Sequence, residues 1–509
     1  MATTIDDRQT REQKEARTRA KAQTRATLPP GPGKLPYLGN LLELRQDPLR
    51  YFQQMQRTYG DMATIHFGKT PVVLLFRPEY VRYVLVEHPR SFVNSSFAGG
   101  PNDDSSAANE GLLTINGEKH RQQRRAVQPA FHKKRVEGYA TIMQEYTQEL
   151  LDSWQAGETV DMSQAMQELT LRIVSKCLFS IDLSNQLRPL GDVFNGFIGS
   201  QTSVVEDLLN IRIDNPITGY GRRRAAMRQL NTLVYTLIAQ RRDNPHDYDD
   251  VLAMLMEATS GEEPETKLTE KQIHDHIITF LAAGHETTAI ALVWTFYLLA
   301  QYPAVREKLL EELRTVLAGR TPTVEDVAKL PYLDWVLSES MRLYPPAWMQ
   351  VRFTAEDVEI GGVALPQGTM LIVSQWVLHR LPEIWGDAEV FRPERWDPAS
   401  EQSIPPGAYF PFGGGPRTCI GMPLAQLEAK IVLATILQRY TPQPVPGYTP
   451  GLQPVITLRP KRNLRTILIP TATNSNGSSN AWRQLVPAPS RAVQERKGCL
   501  TALLSLFGL

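Results

Sequence analysis

Residues 412–421 read FGGGPRTCIG, so a single cysteine, Cys419, stands between a glycine-rich turn and the apolar helical run that starts at MPLAQLEAK. Gly413, Gly414 and Gly415 allow the backbone to approach something bulky, and Gly421 removes a side chain just past the sulfur. A lone cysteine can be an inert packed residue. At the start of a helix, however, backbone N–H groups and the helix dipole favour a thiolate, which is either a nucleophile or a metal ligand. A nucleophile needs a histidine delivered through space, and His379 is merely the nearest along the chain. The three cysteines, Cys177, Cys419 and Cys499, make no CxxC pair, which argues against a disulfide framework, a zinc ribbon or a cluster held by protein sulfur alone. A solitary soft ligand suits a metal whose other positions are filled by a macrocycle, and cysteine is one of the few side chains that ligate haem iron. Arg417 then stands two residues away, able to pair with a haem propionate.

Three further constellations carry chemistry. In AAGHETT, residues 282–288, a glycine and a glutamate interrupt an apolar helix, at a cost of about 1 kcal/mol for the glycine and more for an unpaired acid. Gly284 either permits a close helix crossing or leaves room for a flat ligand or dioxygen. Glu286 either bonds a loop or relays protons inward, with the Thr287 hydroxyl beside it. In ESMR, Glu339 and Arg342 are an i, i+3 pair of little weight alone, but Arg395 of the PERW segment would complete a buried Glu–Arg–Arg network that locks a scaffold. In GEKHRQQRRAVQPAF, His120 and Arg124 lie one helical turn apart, either as two donors to anionic propionates or as part of a solvated basic face.

The elements that must position these groups are mostly helices. Residues 62–76 read as a β-hairpin split at Lys69 and Thr70, and Pro78 opens a helix. The segment from Thr269 to Pro303 begins with a capping box, Thr269 and Gln272, and is too continuously apolar for a surface helix, so it should cross the core. Helices are expected over 304–317 and 333–343, the second stopped by proline, and short strands over 358–374. The fold class is therefore mainly α with a smaller β portion. Residues 1–27 are charged and read as disordered, 28–470 as the folded domain and 471–509 as a flexible extension. With 55 basic against 54 acidic residues there is no global charge to attract nucleic acid. The N-terminus has no apolar run, so no transmembrane segment is expected and a cytoplasmic location fits.

Taken together, these motifs resemble the cytochrome P-450 superfamily of haem-thiolate monooxygenases over 28–470. Its haem signature, Phe-x-x-Gly-x-Arg-x-Cys-x-Gly, is met by Phe412, Gly415, Arg417, Cys419 and Gly421, its oxygen-activation motif by Ala283, Gly284, Glu286, Thr287 and Thr288, and its Glu-x-x-Arg motif by Glu339 and Arg342. The resemblance implies the cytochrome P-450 fold, with haem b (iron protoporphyrin IX) between the core helix and the cysteine helix. It implies Cys419 as iron ligand, and His120, Arg124, Arg352 and Arg417 as propionate partners. The implied reaction consumes a substrate, O2, two electrons and two protons and yields an alcohol and water. The thiolate favours O–O cleavage, and Thr287, fed by Glu286, supplies protons. The GHETT and PERW wording is closer to the fatty-acid and microsomal branch, in a soluble bacterial member.

Electrons are expected from a separate ferredoxin or flavodoxin docking on the basic surface of Arg121, Arg125 and residues 133–135. The substrate is expected to be apolar, a fatty acid, terpenoid or polyketide, approached through the loop 90–111 and the segment 192–213, and the protein to act as a monomer. Two rival readings are a peroxide-driven peroxygenase, which can do without Glu286 and Thr287, and a non-catalytic haem sensor, which needs neither relay nor reductant.

Overall fold

A computed structural model describes residues 28–94, 110–182, 215, 218–243, 248, 250–257, 268–400 and 403–471. The expected disordered N-terminus, the loop 90–111 apart from its two ends, the whole segment 192–213 and the extension beyond Thr471 lie outside these residues. The apolar run after the capping box becomes one 32-residue helix, Glu270–Gln301, in which Thr269 and Gln272 satisfy each other's backbone donors. Most of its circumference is buried. It is long and apolar enough to cross a membrane, yet it serves here as the core helix of the fold. Helices Met162–Phe179, Pro331–Leu343 and Met422–Arg439 pack against it.

The β portion is a five-stranded sheet. Met62–Phe67 pairs antiparallel with Thr70–Leu75, which runs parallel to Met370–Val373. That strand is antiparallel to Gln350–Thr354, and Phe92–Val93 closes the edge. The hairpin turns one residue earlier than expected, at Gly68 and Lys69, because Gly68 takes the left-handed conformation (φ 59°) that frees Thr70 to join the strand. Two apolar cores result, one around the core helix and one under the sheet, with Tyr344 packed against both and stacked on Trp294 at 4.3 Å.

The joint between helix Pro331–Leu343 and the chain 379–396 is polar and fully buried. Arg342 donates to both oxygens of Glu339 at 2.9 and 2.8 Å, and Arg395 donates to Glu339 Oε1 at 2.8 Å. All three side chains are fully buried. Trp396 Nε1 and the Arg392 N–H complete the carboxylate's acceptor sites, while Arg342 Nη1 donates to the carbonyls of His379 and Ala388, each at 2.7 Å. These bonds tie helix Pro331–Leu343 to the meander that leads into the cysteine loop.

Candidate functional site

The cysteine loop is shaped by backbone conformation. Gly413 and Gly415 have φ of 74° and 63°, and a Cβ on Gly415 would lie 1.9 Å from the Leu85 carbonyl oxygen, so glycine is required there. The loop closes on itself through Cys419 N–H to Phe412 O at 2.9 Å and Thr418 Oγ1 to Gly415 O at 2.8 Å. Arg124, from helix Gly117–Val127, pins it by donating to Thr418 O at 2.9 Å. Beyond the loop begins helix Met422–Arg439.

Cys419 sits deep in the protein, yet its side chain is exposed, so it faces an internal hollow. On the core helix, Ala283 is exposed and Thr287 half-exposed although the helix is otherwise packed on nearly every side. Burial pushes the Cys419 thiol up, whereas the N–H groups of Gly421 and Met422 and the charge of Arg124 pull it down. The local donors expected from the sequence are present, but desolvation outweighs them, and a thiolate there calls for a cation facing it.

Cations gather near the sulfur without carboxylate partners among the described residues: Arg124 lies close enough to act on Cys419 and on Arg417, and Arg417 close enough to act on Arg352. Arg352 lies on strand Gln350–Thr354 and donates to Val351 O and Gln350 Oε1. Arg417 donates to Leu112 O, Ile115 O and Asn116 Oδ1 at 3.3, 2.5 and 2.9 Å. Burial brings both guanidinium groups down to about 10. His120 is buried and its pKa falls to about 4, through desolvation and then the charges of Arg417 and Arg124. These surroundings favour the neutral ring, which offers one N–H, over the two donors of an imidazolium. Three arginines and an imidazole, with no acid among the described residues to neutralise them, fit the two propionates of haem b.

The acid–alcohol motif divides. Thr287 Oγ1 donates back to Ala283 O at 2.7 Å and Thr288 Oγ1 to Gly284 O at 3.1 Å. Gly284 does not make room for a ligand: a Cβ there would meet Val174 Cγ2 at 2.7 Å, and Thr170 of the same neighbouring helix donates to His285 O at 2.8 Å. The glycine serves the helix crossing. Glu286 is buried and accepts from Thr457 Oγ1 at 2.5 Å and from Arg459 Nε, with which it forms an ion pair. Sequence reasoning missed both partners, which lie more than 170 residues away. No local spacing signals them.

Buried neutral imidazoles set an acid limit. His276 packs within the core helix, its Nε2 2.9 Å from Gln123 Oε1, and burial lowers its pKa to about 4 from 6.5. Between those values the unfolded chain binds a proton that the folded chain refuses, so stability falls as pH drops from about 6.5 towards 4. Such a group withdraws on the order of 2 kcal/mol at pH 5. The thermal midpoint should fall between pH 7 and pH 5, and less steeply in His276→Gln; equal slopes for the two proteins would contradict this.

The family model described as Cytochrome P450 matches residues 29–484. The chain is 36% identical over 429 residues to the cyclooctat-9-en-7-ol 5-monooxygenase of Streptomyces melanosporofaciens, covering 82% of this chain and 90% of the relative. It is 33% identical over 414 residues to the pentalenene oxygenase of Streptomyces avermitilis, covering 80% and 90% respectively. Among solved structures, the retinoic acid bound cyanobacterial CYP120A1 superposes with a TM-score of 0.75 at 27% identity, covering 87% of this chain and 99% of that one.

Proposed function

The chain belongs to the cytochrome P450 family and is a haem b-dependent monooxygenase, and from that premise we propose that it oxygenates a terpenoid, with Cys419 as the iron ligand. The observation that carries the site is the pairing of one deep, hollow-facing cysteine with the desolvated Arg352 and Arg417, which have no carboxylate partner among the described residues. The terpenoid class is supported by the names of the two Streptomyces relatives, one acting on cyclooctat-9-en-7-ol and one on pentalenene. Bound in the hollow, haem supplies the iron at which dioxygen is reduced and one of its atoms inserted into the substrate.

The chain's own residues do the rest. Cys419 holds the iron through sulfur, while His120, Arg124, Arg352 and Arg417 donate to the propionates and fix the macrocycle's rotation. Phe412 closes the cysteine loop through its carbonyl. Thr287 is partly exposed on the core helix, and its hydroxyl, which donates to Ala283 O, would be the group that delivers a proton from Oγ1 once haem is bound. Glu286, whose Oε1 is held by Thr457 and Arg459, would pass protons towards it, and the ion pair would restrain that transfer. Glu339, Arg342 and Arg395 hold the scaffold.

Thr287→Ala should therefore retain haem and substrate binding but divert electrons into hydrogen peroxide; product formed in step with reductant consumption would remove the proton role. The direct test of the whole reading is incubation with NADPH, a surrogate ferredoxin and its reductase, and cyclic diterpene or sesquiterpene hydrocarbons. A hydroxylated product supports it; turnover with peroxide alone would favour a peroxygenase, and no turnover by either route a sensor.

The electron donor is proposed to be a separate acidic ferredoxin or flavodoxin, and the enzyme to work as a cytoplasmic monomer. Arg121, Arg125, Lys133 and Lys134 are exposed beside the cysteine loop's anchoring helix, though Arg121 and Lys133 spend part of their charge on Glu118 and Glu137. Reversing Arg125 and Lys134 should slow reduction and flatten its dependence on ionic strength. Unchanged reduction rates in that variant would place the donor elsewhere.

A further inference from the structure

The core helix carries a second buried acid that the reaction does not use. Asp275 is 2% exposed, one turn into helix Glu270–Gln301. Its Oδ2 accepts the Glu110 backbone N–H at 2.9 Å and Lys271 Nζ at 2.8 Å. Its Oδ1 meets His274 Nδ1 at 2.9 Å, and the other nitrogen of that ring lies 3.0 Å from Asn231 Oδ1 on helix Gly219–Asp243. Both oxygens are thus held, and the carboxylate cannot turn away from Glu110. A buried carboxylate is costly unless so many donors surround it.

What it holds is a strap, residues 110–116. Gly111 presses on the core helix so closely that a Cβ would lie 2.9 Å from Asp275 O and 2.2 Å from Thr279 Oγ1. The strap then coils once, with the N–H groups of Thr114 and Ile115 bonded to Gly111 O at 3.0 and 3.2 Å. That turn presents Leu112 O, Ile115 O and Asn116 Oδ1 to Arg417. The bonds therefore run without a break from Asp275, through one rigid turn of backbone, to an arginine of the cysteine loop.

We propose that Asp275 is a positioning residue of the haem site: its carboxylate seats the strap 110–116 on the core helix where the strap's oxygens orient Arg417. This rests on the reading of Arg417 as a propionate partner. The acid does not touch the cofactor. It acts on haem retention through the strap, in the way that an outer partner orients a metal ligand.

Two variants address the same contact by different means. Asp275→Asn removes the charge that accepts the strap's N–H, and Gly111→Ala pushes the strap off the helix while keeping the Asp275 carboxylate. Haem transfer from each purified holoenzyme to excess apomyoglobin should be roughly ten-fold faster than from the parent, with the red-shifted carbon monoxide band kept because Cys419 is not disturbed. The haem reduction potential should shift in the same direction in both. Thr323→Ala, which removes a distant helix cap, should lower the thermal midpoint without faster transfer. Parental transfer rates in both variants, alongside fast transfer from Arg417→Leu, overturn the role of Asp275 and leave the reading of Arg417 standing. A parental rate in Arg417→Leu itself overturns both. Equal acceleration by Thr323→Ala would mean that general loosening, not the strap, governs release.

Discussion

Arg342→Met will leave little folded, haem-loaded protein. The substitution keeps volume and apolar stem but deletes every donor of a fully buried guanidinium. Glu339 retains Arg395 and Trp396, yet loses two charge-assisted bonds, and the carbonyls of His379, Ala388 and Val390 lose theirs. Removing one member of a buried ionic group costs about 3–5 kcal/mol, a large part of the roughly 5–15 kcal/mol by which proteins of ordinary stability stay folded. The network joins helix Pro331–Leu343 to the PERW turn Pro393–Trp396, so its loss should loosen the approach to the cysteine loop rather than one side chain. Lysine should rescue poorly, because one ammonium cannot reach both oxygens of Glu339 and two carbonyls at once. The measurement is the yield of soluble, coloured protein and its thermal midpoint. A parental midpoint for Arg342→Met would show that the network contributes little.

Cys419→Ser will abolish the red-shifted band of the reduced carbon monoxide adduct and, with it, oxygenation. The sulfur is met by the N–H groups of Gly421 and Met422 and by the charge of Arg124, an arrangement made for a negative atom. Burial resists that negative charge, so the thiolate depends on a metal cation before it. A serine oxygen in the same place is a harder, far weaker acid, and the donors around it cannot make up the difference. Haem should still enter the hollow, since the proposed propionate partners remain, but it should be lost more readily. Visible bands unchanged by the substitution would mean that some other group holds the iron, and the assignment of the site would fall with it.

How much of this was legible beforehand can be followed residue by residue. The cysteine loop, the capping box at Thr269 and Gln272, the hairpin and the pairing of Glu339 with Arg342 all rest on separations of a few residues. Helical and turn geometry turns such separations directly into contacts, so these features could be read from spacing. Arg395 was reachable only by reading the PERW segment together with ESMR, because nothing local carries it across the chain to Glu339. The same holds more strongly for Arg459 and Thr457 on Glu286, and for the strap carbonyls around Arg417.

The amino-acid order by itself determined which short motifs form and which chemistry they are equipped for: a sulfur ligand, an alcohol beside an acid, basic donors at helical spacing. Tertiary structure alone decided which groups are free to act. It gave the lone acid of AAGHETT an arginine, set Gly284 against Val174, favoured the neutral ring of His120 and raised the Cys419 thiol. The physical reason is that spacing governs contacts within a few turns, whereas burial, desolvation and the partners of a charge depend on surfaces that meet only when distant parts of the chain close together.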